Sequence, residues 1–269
     1  MSTLLAYVDG IGLLGPGFDT WEQAFPVLAG ATPAAAARTR LPVPETLPPA
    51  ERRRAGMAVK AALAAGLQAI RNADVSAADL ASVFTSSGGD GVNCHEICAA
   101  LATAERMISP TRFHNSVHNA PAGYWSISSG AMATSSVLCA YDGSFAAGLL
   151  EAMAQVMTER RPVLLVAYDT DYPHPLHAVR PIPDTMGVGL VLSPHAGARS
   201  IGSIAVDGGT AFTGPPAQPM SDPVLEGIRA SIPAARCLPL LRALAQARAQ
   251  SVDLDYLDGM RCTVRVMPC

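Results

Sequence analysis

The chain has 269 residues, 49% of them apolar and 15% charged, with a formal net charge of −3. That length supports a large core, since a chain of this size buries roughly three quarters of its extended surface on folding. The 19 basic and 22 acidic residues form no clustered basic face of the kind a nucleic-acid binder needs, and no run reaches the roughly 18 apolar residues that span a bilayer.

Residues 4–8, LLAYV, predict a short buried strand, ended by the loop DGIGLLGPG with its four glycines and one proline. Asp19 or Thr20 then caps a helix over DTWEQAF, with Glu22 in the first turn. Residues 29–50 are rich in Ala and Pro and read as an irregular surface excursion, with one short helical turn at 34–37. From Pro49 the pattern is helical: Met57, Val59, Ala62, Leu63, Leu67 and Ile70 recur at helix spacing up to Arg71. The run Glu51-Arg52-Arg53-Arg54 reads as a solvated helix start, with a docking spot for an acidic partner as the minority reading. Ser76 predicts a fresh cap. SVFTSS is a strand closed by the turn GGDG, residues 92–106 are helical, and ISPTRFHNSVHNAPAG is a polar loop broken by two prolines. The segment ATSSVLCA leads into a small-residue helix over 143–159. PVLLVAYD is the unbroken apolar run of a strand buried on both faces. GVGLVLSP and SIGSIAVDGG are two further strands, expected to pair as neighbours. The tail predicts a helix near 237–249 and a last strand, CTVRVM. This alternation of strand and helix argues for an α/β layered fold.

The charge content is thin for covering a monomer, so part of the surface is expected to lie against another subunit. The six cysteines, Cys94, Cys98, Cys139, Cys237, Cys262 and Cys269, are too irregular for a disulfide framework and suit a reducing compartment. The first residues lack a basic segment and carry Asp9, so no signal peptide is read and a cytoplasmic location is expected. Cys94 and Cys98 are expected to share a helix face, without the second ligand pair of a zinc site. SSGGDG does not fit the spacing of a phosphate-binding loop. Asp169, Asp171, His174 and His177, in a loop made rigid by prolines, are read as exposed rather than metal-binding. No cofactor is predicted.

Several segments, in order, resemble the β-ketoacyl synthases of the thiolase-like fold. AYVDGIGLLGPGFDTWEQAFPVLAG is similar to their opening strand, Gly-rich turn and first helix. ERRRAGMAVKAALAAGLQAI is similar to the next helix, and SVFTSSGGDG to the strand and turn after it. RFHNSVHNAPAGYWSI followed by TSSVLCAYDGSFAAGLLEA resembles the segment that carries the active-site cysteine. PVLLVAYD and GVGLVLSP resemble the next two strands. Cys139 lies nine residues after Gly130, the spacing that family keeps. The resemblance covers about residues 4–207. It implies an α/β, thiolase-like layered fold of the α/β/α/β/α type, shortened in its C-terminal half. The whole of 1–269 would be one ketosynthase-like domain, with a thiolase-like portion over 1–207 and a truncated portion over 208–269.

Two departures from the family bear on function. Its pattern places a glycine three residues after the cysteine, where this chain has Asp142, with Gly143 one later. Its C-terminal half also supplies two histidines, in a His-Gly-Thr-Gly-Thr stretch and a later Gly-His stretch. Here the last histidine is His195. The resemblance therefore implies a chain-length-factor-like subunit, of the type associated with aryl polyene and related pigment pathways. Such a subunit pairs with a full-length ketosynthase as a heterodimer and helps position acyl chains carried on acyl carrier protein.

Cys139 remains a candidate nucleophile on physical grounds. A helix N-terminus directly after it would favour the thiolate and supply N–H groups for an oxyanion, whereas Asp142 would favour the thiol. The opposing reading is a small residue in a relic turn. His114 and His118, four apart, are candidates for its general base, against a plainer role in a loop or an interface. Three functions stay open: the non-condensing subunit, with its partner surface over 110–150; a stand-alone Cys139-dependent acyltransferase or thioesterase acting on carrier-protein thioesters; and a homo-oligomeric binding protein without acyl chemistry.

Overall fold

A computed structural model describes residues 3–78, 80–208, 212, 217 and 219–269. In chain order its strands are β1 (Thr3–Leu14), β2 (Ala81–Thr85), β3 (Ser135–Leu138), β4 (Val163–Asp169), β5 (Met186–Ser193), β6 (Gly202–Asp207), β7 (Gln250–Asp255) and β8 (Arg261–Pro268). Its helices are α1 (Trp21–Ala29), α2 (Pro49–Arg54), α3 (Met57–Ala73), α4 (Gly91–Leu101), α5 (Pro110–His114), α6 (Ala120–Ser129), α7 (Ser144–Glu159), α8 (Leu176–Val179), α9 (Pro223–Ser231) and α10 (Leu238–Ala245). The eight strands form one sheet in the order β3-β2-β4-β5-β1-β6-β8-β7. Within it β2 pairs in parallel with β3 and β4, and every other pairing is antiparallel.

β4 explains the layering. All seven of its residues are buried. Val163, Leu165 and Ala167 enter a core shared with α1, α7 and α10, while Leu164, Val166 and Tyr168 enter a second core with α3 and α6. A strand covered on both faces has no solvent side to mark with polar residues, hence its unbroken apolar sequence. β6 instead alternates buried and half-buried residues. The layered α/β expectation holds, built on a single sheet. In keeping with the shortened C-terminal half, the tail strands β8 and β7 continue this sheet through β6 among the described residues.

β1 departs from the sequence reading. It was expected to end at Val8, but the chain stays extended through Asp9, Gly10, Ile11 and Gly12 to Leu14, with a bulge between Val8 and Gly10. The glycines serve close approach rather than a turn. A Cβ on Gly10 would overlap the Ala69 carbonyl oxygen, and one on Gly12 the Ala65 carbonyl oxygen. Both carbonyls belong to α3, whose alanines at 61, 65, 69 and 73 form a stripe of small residues. Side chains of the same helix satisfy the strand beneath: Asn72 Nδ2 donates to the Ile11 carbonyl at 2.7 Å, and Gln68 Oε1 accepts from the Leu13 N–H at 3.2 Å.

Other expectations are corrected. The prolines of 108–123 do not break a loop; Pro110 and Pro121 stand in the first turns of α5 and α6, where a missing N–H breaks no intrahelical bond. β5 and β6 do not pair with each other, because β1 lies between them and is long enough to serve both. Thr20 does cap α1, accepting from the Gln23 N–H at 3.3 Å. Ser76 only accepts from the Ala78 N–H, at 3.3 Å, with no helix following among the described residues, and residues 34–37 are not helical. α9 and β7 went unanticipated. No helix among the described residues is long and apolar enough to cross a membrane.

Candidate functional site

Parallel strands direct their C-terminal ends to one side of a sheet, so the segments after β2, β3 and β4 meet there. Cys139 follows β3 directly and is exposed. Its thiol donates to the Ser87 carbonyl oxygen at 3.2 Å. The helix expected over 143–159 begins one residue later, at Ser144, and a 3-10 turn, Tyr141–Gly143, separates it from the cysteine. Tyr141 is left-handed, with φ of 51°. Ser144 Oγ closes the turn, accepting from the Ala140 N–H at 3.0 Å and donating to the Tyr141 carbonyl at 2.6 Å. The favourable field of a helix falls off within its first turn, so the sulfur gains less from α7 than a cysteine at the cap would.

Asp142 does not act on the sulfur as an isolated charge, which corrects the sequence reading. Arg180 holds its carboxylate at 2.7 Å and Arg236 at 3.0 Å. The chain of ion pairs continues from Arg236 to Asp255 at 3.2 Å, from Asp255 to Arg229 at 2.6 Å, and from Arg229 to Glu226 at 2.8 Å. Three cations and three anions alternate, so the region is neutral as a whole. The Arg180 guanidinium also lies 3.8 Å from the centre of the Tyr141 ring, a cation–π contact. From the other side the Tyr256 carbonyl presses on Gly143, where a Cβ would overlap it.

Asp169, expected in an exposed loop, is buried at the end of β4. Its Oδ1 accepts from the Ser87 N–H at 2.9 Å, the Ser87 hydroxyl at 2.6 Å and the Ser86 hydroxyl at 3.3 Å. Burial pushes its pKa up to about 6, against the opposing pull of the hydrogen bonds from Ser87, Ser86 and the Ala234 N–H. Asp169 thereby fixes Ser87, the residue whose carbonyl receives the Cys139 thiol.

Among the described residues neither histidine is hydrogen-bonded to the cysteine. His114 ends α5, is exposed, and stands edge-on to Tyr124 at 6.3 Å between ring centres. His118 lies between α5 and α6, with its Nε2 buried and without a hydrogen-bond partner among the described residues. It lines an apolar cavity of ≈ 420 Å³ together with Ile97, Leu101, Phe113 and Val117. Cys94 and Cys98 face the same cavity from α4. Burial first, and then the neighbouring Cys98, pushes the Cys94 thiol up. The turn 88–91 reads as expected: Asp90 caps α4 by accepting from the Asn93 N–H at 2.9 Å, and Tyr172 packs on Gly88 and Gly91. Asp171 pairs with Arg38 at 3.1 Å, and the His174 and His177 rings are 5.3 Å apart. Among the described residues no three His, Cys, Asp or Glu side chains gather as a metal site requires.

Arg180, Arg236 and the link from Asp169 to Ser87 escaped the sequence reading. Asp169 had a signal, a carboxylate ending a fully apolar strand. The arginines had none, because only the fold brings them to Asp142.

The comparisons with known proteins fall in line with this geometry. Residues 26–220 match the family described as beta-ketoacyl synthase, N-terminal domain, and the chain belongs to that family. It is similar to a chain in the solved ketosynthase ApeO in complex with its chain length factor ApeC from Xenorhabdus doucetiae, with 24% identity, a TM-score of 0.70, and coverage of 98% of this chain and 99% of that one. The ishigamide ketosynthase/chain length factor is similar at 15% identity and a TM-score of 0.71, covering 98% and 99%. AntDE:AntF, a type II acyl-carrier protein in complex with its ketosynthase bound to the hexaketide, is similar at 10% identity and a TM-score of 0.74, covering 100% of both chains. At these identities the structural likenesses establish the ketosynthase, thiolase-like fold. No curated protein is matched.

Proposed function

We propose that the chain is a non-condensing, chain-length-factor-like subunit. It pairs with a full-length ketosynthase and shapes the tunnel that receives acyl chains carried on acyl carrier protein. One observation carries the pairing. Leu101, Met107, Phe113, Val117, Ile127, Met132 and Tyr141 are all at least 47% exposed, and all fall within one segment of 41 residues that also contains the edge strand β3. Exposed apolar side chains gathered in one stretch of chain, together with an open strand edge, are what a lone chain avoids and a partner covers. The expected contact surface, 110–150, lies largely inside this segment.

The non-condensing half of the reading rests on Cys139. Its thiol is turned onto a carbonyl, and neither His114 nor His118 is hydrogen-bonded to it among the described residues. The solved ketosynthase complexes with chain length factors support a heterodimer, and the complex with an acyl-carrier protein supports a carrier contact. The setting is type II fatty acid or polyketide synthesis of the aryl polyene kind, in the cytoplasm, with 1–269 acting as one domain. Co-expression with a full-length ketosynthase tests the pairing. Native mass spectrometry is expected to give a one-to-one heterodimer, and a stable monomer that ignores the ketosynthase would contradict it.

A second reading has its own observation. Cys139 is exposed and Asp142 is neutralised by two arginines, which suits a stand-alone acyltransferase or thioesterase that loads this thiol. Incubation with acyl-carrier thioesters would then add an acyl mass to the wild type and none to Cys139→Ala.

A further inference from the structure

Asp142 occupies a turn that does not hold itself. Tyr141, with φ of 51°, is in a region that side chains other than glycine adopt only where their surroundings impose it. Three contacts impose it here. Arg180 and Arg236 grip the next residue, Asp142, at 2.7 and 3.0 Å, and Arg180 also stacks on the Tyr141 ring at 3.8 Å. Behind the grip, Arg236 is itself tied to Asp255 at 3.2 Å. The side chains of Arg180, Arg236 and Asp142 are only 17%, 20% and 34% exposed, so salt and water weaken these pairs less than surface pairs. The thiol's acceptor is equally fixed, since Asp169 accepts from both the N–H and the hydroxyl of Ser87.

We infer that Asp142 is a positioning residue for Cys139: its two-arginine clamp latches the 139–143 turn with the thiol donating to Ser87, withholding an otherwise exposed sulfur from electrophiles until the clamp opens. The latch requires no partner subunit and holds under either reading of the function. It gives Asp142, in the place where the family pattern has glycine, a definite task.

The test is iodoacetamide alkylation of the whole chain, followed residue by residue through peptide mass. In the wild type Cys139 is expected to react more slowly than exposed Cys98, although both are open to solvent; equal rates would overturn the latch. In Asp142→Ala, and in Arg180→Gln combined with Arg236→Gln, the rate at Cys139 relative to Cys98 is expected to rise about tenfold, as local opening becomes easier. Asp142→Glu, which keeps the charge, is expected to stay near wild type. Cys237 and Cys262 are buried and must stay unreacted. An unchanged ratio, or a rise shared by Cys237 and Cys262 that reports general loosening, would overturn the inference.

Discussion

Asp169 is a carboxylate that the fold has taken out of water and surrounded with donors. An ordinary aspartate titrates near 3.8, and burial moves this one up to about 6. Between those values the folded protein holds a proton that the unfolded chain has released, so stability from this group is fully present below about pH 4 and is lost as the pH rises through 6. Asp169→Asn has no such slope. Urea unfolding should show the stability of the wild type relative to Asp169→Asn falling by about 3 kcal/mol between about pH 4 and pH 7. A gap that does not change with pH would contradict this placement. At this scale the sequence was only partly legible. The capping role of Thr20 was legible, because it stands three residues before the N–H it serves. Arg180 and Arg236 reach Asp142 across 38 and 94 residues, and no local pattern encodes that.

Among elements, legibility followed the environment. Strands buried on both faces, such as β4 and β5, announce themselves by unbroken apolar runs, and α3 by its spacing. β1 was cut short on paper because glycine in a sequence signals a turn as readily as a close contact. What separates the two is whether a helix lies on the strand, and that is known only once α3 is in place. The Pro110 and Pro121 segments failed for the same reason, since a proline reads as a break unless the following turn is seen to be helical. The packing of α3 on β1 gives a sharp contrast between two glycines. Gly12→Ala places a methyl group into the Ala65 carbonyl and is expected to cost about 3 kcal/mol or more. Gly123→Ala, within α6 and with open space around it, is expected to be neutral or to stabilise by about 0.5–1 kcal/mol. Chemical denaturation of the two variants measures both, and similar effects would contradict the packing described for β1.

At the scale of the whole molecule, low charge content on paper corresponds to an uneven surface in the structure, with apolar side chains gathered over residues 101–141. The sequence reading put the partner surface at 110–150, but without α5 and the start of α6, which lie in a segment read as loop. If that face meets a ketosynthase, Phe113→Glu or Met132→Glu should abolish the heterodimer. Phe25→Glu, on α1 over the opposite face of the sheet, should leave it intact. Analytical size exclusion of co-expressed pairs distinguishes these outcomes, and equal loss from all three variants would point away from a specific surface.

The central claim is that this chain serves a ketosynthase without condensing by itself. It is tested most directly by reconstituting the co-expressed pair with acyl-carrier thioesters and comparing the product distribution made with wild-type chain and with Cys139→Ala. The account predicts the same products at the same rate, since the partner's own cysteine performs the condensation and this chain supplies the interface and the tunnel wall. Loss of product on replacing Cys139 would contradict it and make this thiol a working nucleophile.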